Sequence, residues 1–350
     1  MKSKLTLFLI LFTIFNNIIA QEYIITVKKP YSTRHSYLKI NSDTQIEEDY
    51  FKCLDFTKEG YGIILSRVRR GYQIINTNGE PIELEVPLKP IVNGWSEQTS
   101  GFSCGMVRTE RNNKFGALNY EGKLTVSRLY TKLSEFNGNH AIGMKGRTYY
   151  IVSNKGEETK LEFKKTREIR HFSEGLAAIK IGSAFGFIDT LGQMIIEPIY
   201  YSVGHFNGGI AWAKNQNGKI GYINKLGEWI LEPVFLMGED YDKVSGLARV
   251  KTSQGWGYIG PNNEFETLGV TIDFFSFYEG LAINREHGKV GFIDNTGTWV
   301  IEPKYEVAHR FKNGFARVRI KDKWGIIDKN GDWFVEPKYD QIGDVVIIKK

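Results

Sequence analysis

Cysteine is nearly absent from this chain. Cys53 and Cys104 are the only two in 350 residues, too few for a disulfide framework, so burial must hold the fold together. Long apolar runs are just as scarce. The longest, Leu5 to Phe15, is too short to span a bilayer comfortably. No window carries a sustained apolar stripe at helical spacing, which argues against a helical protein. Also missing are a glycine-rich phosphate cradle, a nucleophile elbow and a metalloprotease helix. Charge of one sign is in short supply too: 46 basic against 40 acidic residues leave +6, and two of those charges are Lys2 and Lys4. The basic clusters, Arg67, Arg69 and Arg70 in one place and Lys164 to His171 in another, form no stripe with stacking aromatics, so a nucleic-acid partner is not expected.

What is plentiful points to strands and turns. Aromatics make up 13% of the chain and there are 37 glycines; rings suit pleated surfaces and Gly suits tight turns. The first twenty residues stand apart. They have a basic start, an apolar run and a small residue, Ala20, before Gln21, the pattern of a secretory signal peptide cleaved after Ala20. No Cys follows the run to take a lipid. The expected location is secreted or periplasmic, at the cell envelope, with no membrane span after cleavage.

The remainder repeats itself. A turn glycine recurs at Gly79, Gly122, Gly156, Gly192, Gly227, Gly297 and Gly331, with Asn263 in the same slot. After a first step of 43 residues the spacing is 34–36, and eight units are visible. Three residues earlier stand Asn76, Asn119, Ser153, Asp189, Asn224, Asp294 and Asp328, side chains that bond backbone two residues on. The anchor then takes a positive φ, which Gly accepts freely and Asn tolerates. Each unit is therefore expected to hold a hairpin closed by a left-handed residue.

Strands flank the turn. A branched apolar residue precedes it throughout (Ile188, Ile223, Ile293, Ile327), and Trp229, Trp299 or Trp333 follows it, with Met194 and Phe265 in that slot elsewhere. Consecutive apolar residues then lead to Glu197-Pro198, Glu232-Pro233, Glu302-Pro303 and Glu336-Pro337. Proline offers no N–H, so pairing is expected to end there. An aromatic returns two residues later (Tyr130, Tyr200, Phe235, Tyr305, Tyr339), and the phenols of Tyr200, Tyr305 and Tyr339 are expected to reach a polar edge. A third strand opens with F-x-x-G-Φ-A, as at Phe311 to Ala316. The reading is all-β: tandem three-stranded repeats of about 34 residues, an open solenoid-like array, with a closed β-propeller as the alternative. Residues 51–345 carry the eight repeats, 21–50 match nothing and are expected to cap the N-terminal end, and 346–350 form a C-terminal tail that includes the closing strand.

The run Phe311 to Asp340, "FKNGFARVRIKDKWGIIDKNGDWFVEPKYD", closely resembles the WG, or KWG, repeat of bacterial proteins. The resemblance implies a β-rich tandem array, often on exported proteins, with no shared catalytic residues and no settled ligand. The Trp-Gly pair itself survives at Trp256-Gly257 and Trp324-Gly325, with Phe115-Gly116 and Phe185-Gly186 as aromatic equivalents.

No constellation commits to chemistry. Acid–base catalysis needs carboxylates in unlike settings, whereas Glu197, Glu232, Glu302 and Glu336 recur in one setting and Asp189, Asp294 and Asp328 in another. His171 and His205 share the slot before the F-x-x-G aromatic, one unit apart, so stacking of units could bring them near each other. The same slot holds Glu135, Ser276 and Arg310 elsewhere, and the two rings are read as surface-loop histidines rather than metal ligands. No catalytic, metal or cofactor residue is assigned. The function expected is a non-enzymatic exported module that binds a protein or glycan, or scaffolds, at the cell envelope. Alternatives are a structural surface protein without a discrete ligand and a hydrolase with a site between repeats.

Overall fold

The computed structural model describes residues 21–348 apart from 43, 47–48, 67–70, 91, 94–97, 100, 261–264 and 267–274. The signal-peptide segment, the cluster at Arg67 to Arg70 and the Asn263 anchor lie outside the described residues. Among those described there is no helix, and the strands form nine antiparallel sheets, or blades, plus a separate two-stranded hairpin (Val92–Asn93 with Gln98–Thr99). Blades 1 to 8 span 52–75, 102–130, 132–160, 166–200, 202–235, 237–266, 277–305 and 307–339, and blade 9 joins strands from both ends of the described chain.

The anchor slots fold as hairpin turns. In the turn at Asp294, the carboxylate oxygen Oδ1 accepts from the N–H groups of Thr296 and Thr298 at 2.8 and 3.0 Å, and Gly297 N donates to Asp294 O. Gly297 sits at φ 83°, where an L side chain is strained.

Two expectations about the unit are corrected. Among the described residues eight of the nine blades have four strands, not three; blade 1 (Lys52–Cys53, Gly62–Ser66, Gly71–Ile75) has three. The extra one is two residues long in most blades, such as Ser202–Val203 in blade 5, which pairs with Ala211–Lys214, then Ile220–Ile223, then Trp229–Phe235. Two residues are too few to show a period. Nor does pairing end at Glu-Pro: the fourth strand of blade 7 runs Trp299–Tyr305 straight through Pro303, with register shifts on either side of Phe292↔Ile301. A bulge is where a missing N–H does least harm. It also pushes the Ile301 carbonyl inward, to 2.3 Å from where a Cβ on Gly291 would stand; the matching figures at Gly186, Gly221 and Gly325 are 2.2, 2.4 and 2.6 Å. The glycine of the "GFID" strand and the Glu-Pro of the next strand are thus one feature seen from two sides.

The cores lie between blades. Phe187, Tyr258 and Phe292, on third strands, meet Phe206, Phe277 and Phe311 of the following blade edge-on, at 4.8–4.9 Å between ring centres. All six rings are buried. A buried Phe contributes about 1.5–3 kcal/mol, and the edge-on contact adds about 0.5–1.5. The Trp slot is core rather than a solvent-facing strip: Trp229 and Trp333 pack edge-on against Tyr200 and Tyr305 of the preceding blade. Tyr200 donates to Gly227 O at 2.8 Å, as expected of a phenol at a polar edge, but the buried Tyr305 hydroxyl has no partner among the described residues.

The array closes. Strand Glu22–Lys28 pairs with Ser36–Ile40 on one side, and on the other with Gln341–Ile342 and Val346–Ile348. The N-terminal segment read as a cap and the C-terminal strand therefore build a ninth blade together, and the open solenoid gives way to the closed propeller. The degenerate N-terminal repeats look like an array end in sequence because their partners are some 300 residues away.

Candidate functional site

First strands of successive blades face one another around the axis. Arginine guanidinium groups bridge them: Arg108, Arg170 and Arg317 each donate to a first-strand carbonyl of the next blade, at Leu133, Val203 and Ile342, over 2.8–3.2 Å. The connections from first to second strand gather at one mouth of the ring. There the slot before the F-x-x-G aromatic recurs once per blade. It carries carboxylates at Asp55, Glu135, Asp240 and Asp344, imidazoles at His171 and His205, then Ser276 and Arg310, with Gly101 in blade 2. What varies freely in sequence comes together in space.

Two cavities open along this ring. A groove of about 1190 Å³ crosses blades 8, 9, 1, 2 and 3 and contains Asp55, Gly101 and Asp344. A pocket of about 540 Å³ crosses blades 5 to 8 and contains Asp240, Ser276 and Arg310.

The neighbours of each slot decide its chemistry. Asp55 is solvent-accessible but walled by protein. That enclosure, and then the charge of Asp344, raise its carboxyl above the usual range, although Thr26 Oγ1 of blade 9 donates to it at 3.0 Å. Enclosure acts on Asp344 in the same sense, but Arg317 at 2.8 Å and Lys312 at 3.0 Å outweigh it and hold the acid below its ordinary value. Two carboxyls driven apart are a starting condition for acid–base work. Here each also has a structural task, tying blade 9 to blades 1 and 8.

His171 and His205 are brought together, with ring centres 4.3 Å apart and planes 25° off parallel. His171 is exposed on the first strand of blade 4, and His205 is half-buried in the first-to-second-strand connection of blade 5. Enclosure, followed by the neighbouring His171 and Arg170, pushes His205 down to about 4, and His171 is lowered chiefly by enclosure. Both are neutral at pH 7. Among the described residues no three His, Cys, Asp or Glu side chains cluster as metal ligands. The recurrent carboxylates do not meet at the mouth: Glu197, Glu232, Glu302 and Glu336 alternate outward on fourth strands, and Asp189, Asp294 and Asp328 serve turns. Cys53 is buried and Cys104 exposed, both as free thiols, and both border the larger groove.

Carboxylates on the same face clasp neighbouring blades. Glu174 accepts from Gly208 N and Gly209 N at 2.8 and 2.9 Å, and Glu279 from Asn313 N and Gly314 N at 2.7 and 2.9 Å. Lys225 and Lys329, one turn further on, donate to the carbonyls of Glu174 and Glu279. The spacing of these residues is regular in sequence, yet their pairing across blades could not be read without the ring.

The family model for the WG containing repeat matches residues 185–219, 220–256, 291–324 and 324–346. The chain carries WG repeats. They span blades 5 and 8 in full, the last two strands of blades 4 and 7 and the first two strands of blade 6. No curated protein matches the sequence. Among solved structures, a crystal structure of the eukaryotic initiation factor aligns with a TM-score of 0.62 at 11% identity, over 94% of this chain and 98% of that one. The computationally designed Ika8 protein aligns at 0.41 with 11% identity, over 81% and 95%. Apo AztD from Citrobacter koseri aligns at 0.39 with 10% identity, over 94% and 98%. Only the first likeness bears on the WG-repeat chain, and it speaks to fold alone.

Proposed function

We propose that this WG-repeat propeller is a non-catalytic exported module, secreted or periplasmic, that binds a protein or glycan at the cell envelope through the mouth bearing the ring slot. One observation carries the reading: departures from the repeat gather there. The slot before the aromatic holds five chemical types around the ring, and both cavities described above open on it. Rigid repeats that vary at one face are the usual form of a recognition surface. The test is a binding screen of residues 21–350 against envelope proteins and glycans, repeated with Arg310→Ala and Lys312→Ala. A specific ligand weakened by either change supports the reading. No ligand, or one indifferent to both changes, refutes it.

A purely structural role without a discrete ligand is the second reading. The clasps at Glu174 and Glu279 favour it, because they commit some of the same face to holding the ring closed. Export rests on the leader sequence, and mass spectrometry of the mature chain beginning at Gln21 would test it.

A further inference from the structure

The pocket among blades 5 to 8 is bordered by an insertion in the repeat. In blade 6 the connection from Tyr241 to Ala248 is two residues longer than its counterpart in blade 7, Phe277 to Ala282. In repeat proteins such insertions map to the binding face. The insertion is well built: Asp242 Oδ2 accepts from Ser245 N at 2.8 Å and Gly280 N at 3.3 Å, and Gly246 N donates to Asp242 O at 2.9 Å. Repetition also supplies an internal control. Trp212 occupies a slot held elsewhere by Arg108, Ala178, Arg249 or Arg317. Tyr278 occupies one held by Ser173, Asn207, Asp242 or Lys312. No other blade holds a ring in either slot, and Trp212 of blade 5 and Tyr278 of blade 7 line one pocket.

Its polar groups divide into spent and available. Glu239 is neutralised by Arg249 at 3.1 Å and bonded by Ser276 Oγ, and Asp242 is used by its own loop. Asp240 accepts from the Trp212 indole N–H and has no ion-pair partner among the described residues. Arg310 is exposed, lies 4.4 Å over the Tyr278 ring and likewise has no carboxylate partner among them. The pocket therefore offers one available anion, one available cation and aromatic surface. A ligand of either charge would meet one repelling group. A hydroxyl suits both, since it donates to a carboxylate and accepts from a guanidinium, while the C–H face of a sugar ring packs on indole or phenol. The volume, about 540 Å³, falls in the small-ligand range of about 300–1,000 Å³.

We propose that this pocket is a subsite for one neutral sugar ring of a glycan. The assignment rests on the binding role proposed above and narrows it. The probe is a panel of neutral hexose and N-acetylhexosamine oligosaccharides, titrated into residues 21–350 by saturation-transfer NMR beside a mixed-sequence peptide panel. Tyr278→Ala and Arg310→Ala, both at exposed positions, should weaken saccharide binding at least tenfold and severalfold respectively, with the melting temperature unchanged. Saccharide binding that survives both changes overturns the assignment. If peptides bind instead and Tyr278→Ala abolishes it, the sugar assignment falls and the binding role stands. If neither class binds, both fall.

Discussion

Replacing Gly291 by alanine tests the link between the repeat glycine and the Glu-Pro bulge. A Cβ there would lie 2.3 Å from Ile301 O and 2.8–2.9 Å from Pro303 N and the Glu302 carbonyl carbon. Comfortable carbon–oxygen contacts begin near about 3.3 Å, so the third and fourth strands would have to separate by about 1 Å. Every close atom is backbone, and no rotamer change relieves the clash. Overpacking of this kind costs about 1–3 kcal/mol, and a rigid backbone neighbour puts Gly291→Ala near the top, at about 3 kcal/mol. With an unfolding entropy of about 2.1 cal/mol/K per residue, a chain of this length melting as one unit should lose about 4–5 °C. Calorimetry and urea titration would read it. Gly101→Ala is the control, with nothing among the described residues within 4 Å of the added carbon, and should stay within about 0.5 kcal/mol of the parent. If Gly291→Ala melts with the control, the bulge does not explain the glycine.

Other consequences follow from the same contacts. Glu174→Ala and Glu279→Ala each remove two charge-assisted bonds to the next blade, and each should cost about 1–3 kcal/mol by urea titration; indifference would mean the clasps are incidental. His205, held at about 4 in the folded chain, stays neutral where an unfolded histidine near about 6.5 takes up a proton. Its contribution to stability is therefore full above that unfolded value and is lost as pH falls toward 4. His205→Ala should flatten the melting temperature across that window, and an unchanged slope refutes the argument. Closure predicts a radius of gyration of about 20 Å for the mature chain in X-ray scattering, and a much larger value would return the molecule to an extended array.

Sequence reveals whatever recurs within one unit. Asp294 and Gly297 announce their turn because a side-chain bond and a positive φ restrict which residues can serve. The third strands show because burial on both faces demands unbroken apolar residues, and the second and fourth because buried residues alternate along them, as at Ile196 and Tyr200. The strand Ser202–Val203 did not show, since two residues carry no period. Closure was hidden for another reason: Glu22–Lys28 pairs with strands at the far end of the chain, and nothing local records that. The candidate site was legible only as a slot of inconstant residues. Asp55, Asp240 and Asp344 look unrelated along the chain, and only the closed ring makes them neighbours of one opening. The stacking of His171 and His205 was foreseeable from their matching positions, but their enclosure was not.

With Glu22–Lys28, Gln341–Ile342 and Val346–Ile348 all woven into blade 9, none of the nine blades is terminal. A linear stack sheds its outermost repeat first, because that repeat leans on a single neighbour. A ring has no such repeat, and heat or denaturant must break contacts on both sides to free any blade. Melting is therefore expected as one event rather than as peeling from the ends, and the place where it can start is the seam held by Val346–Ile348 against Glu22 to Ile24.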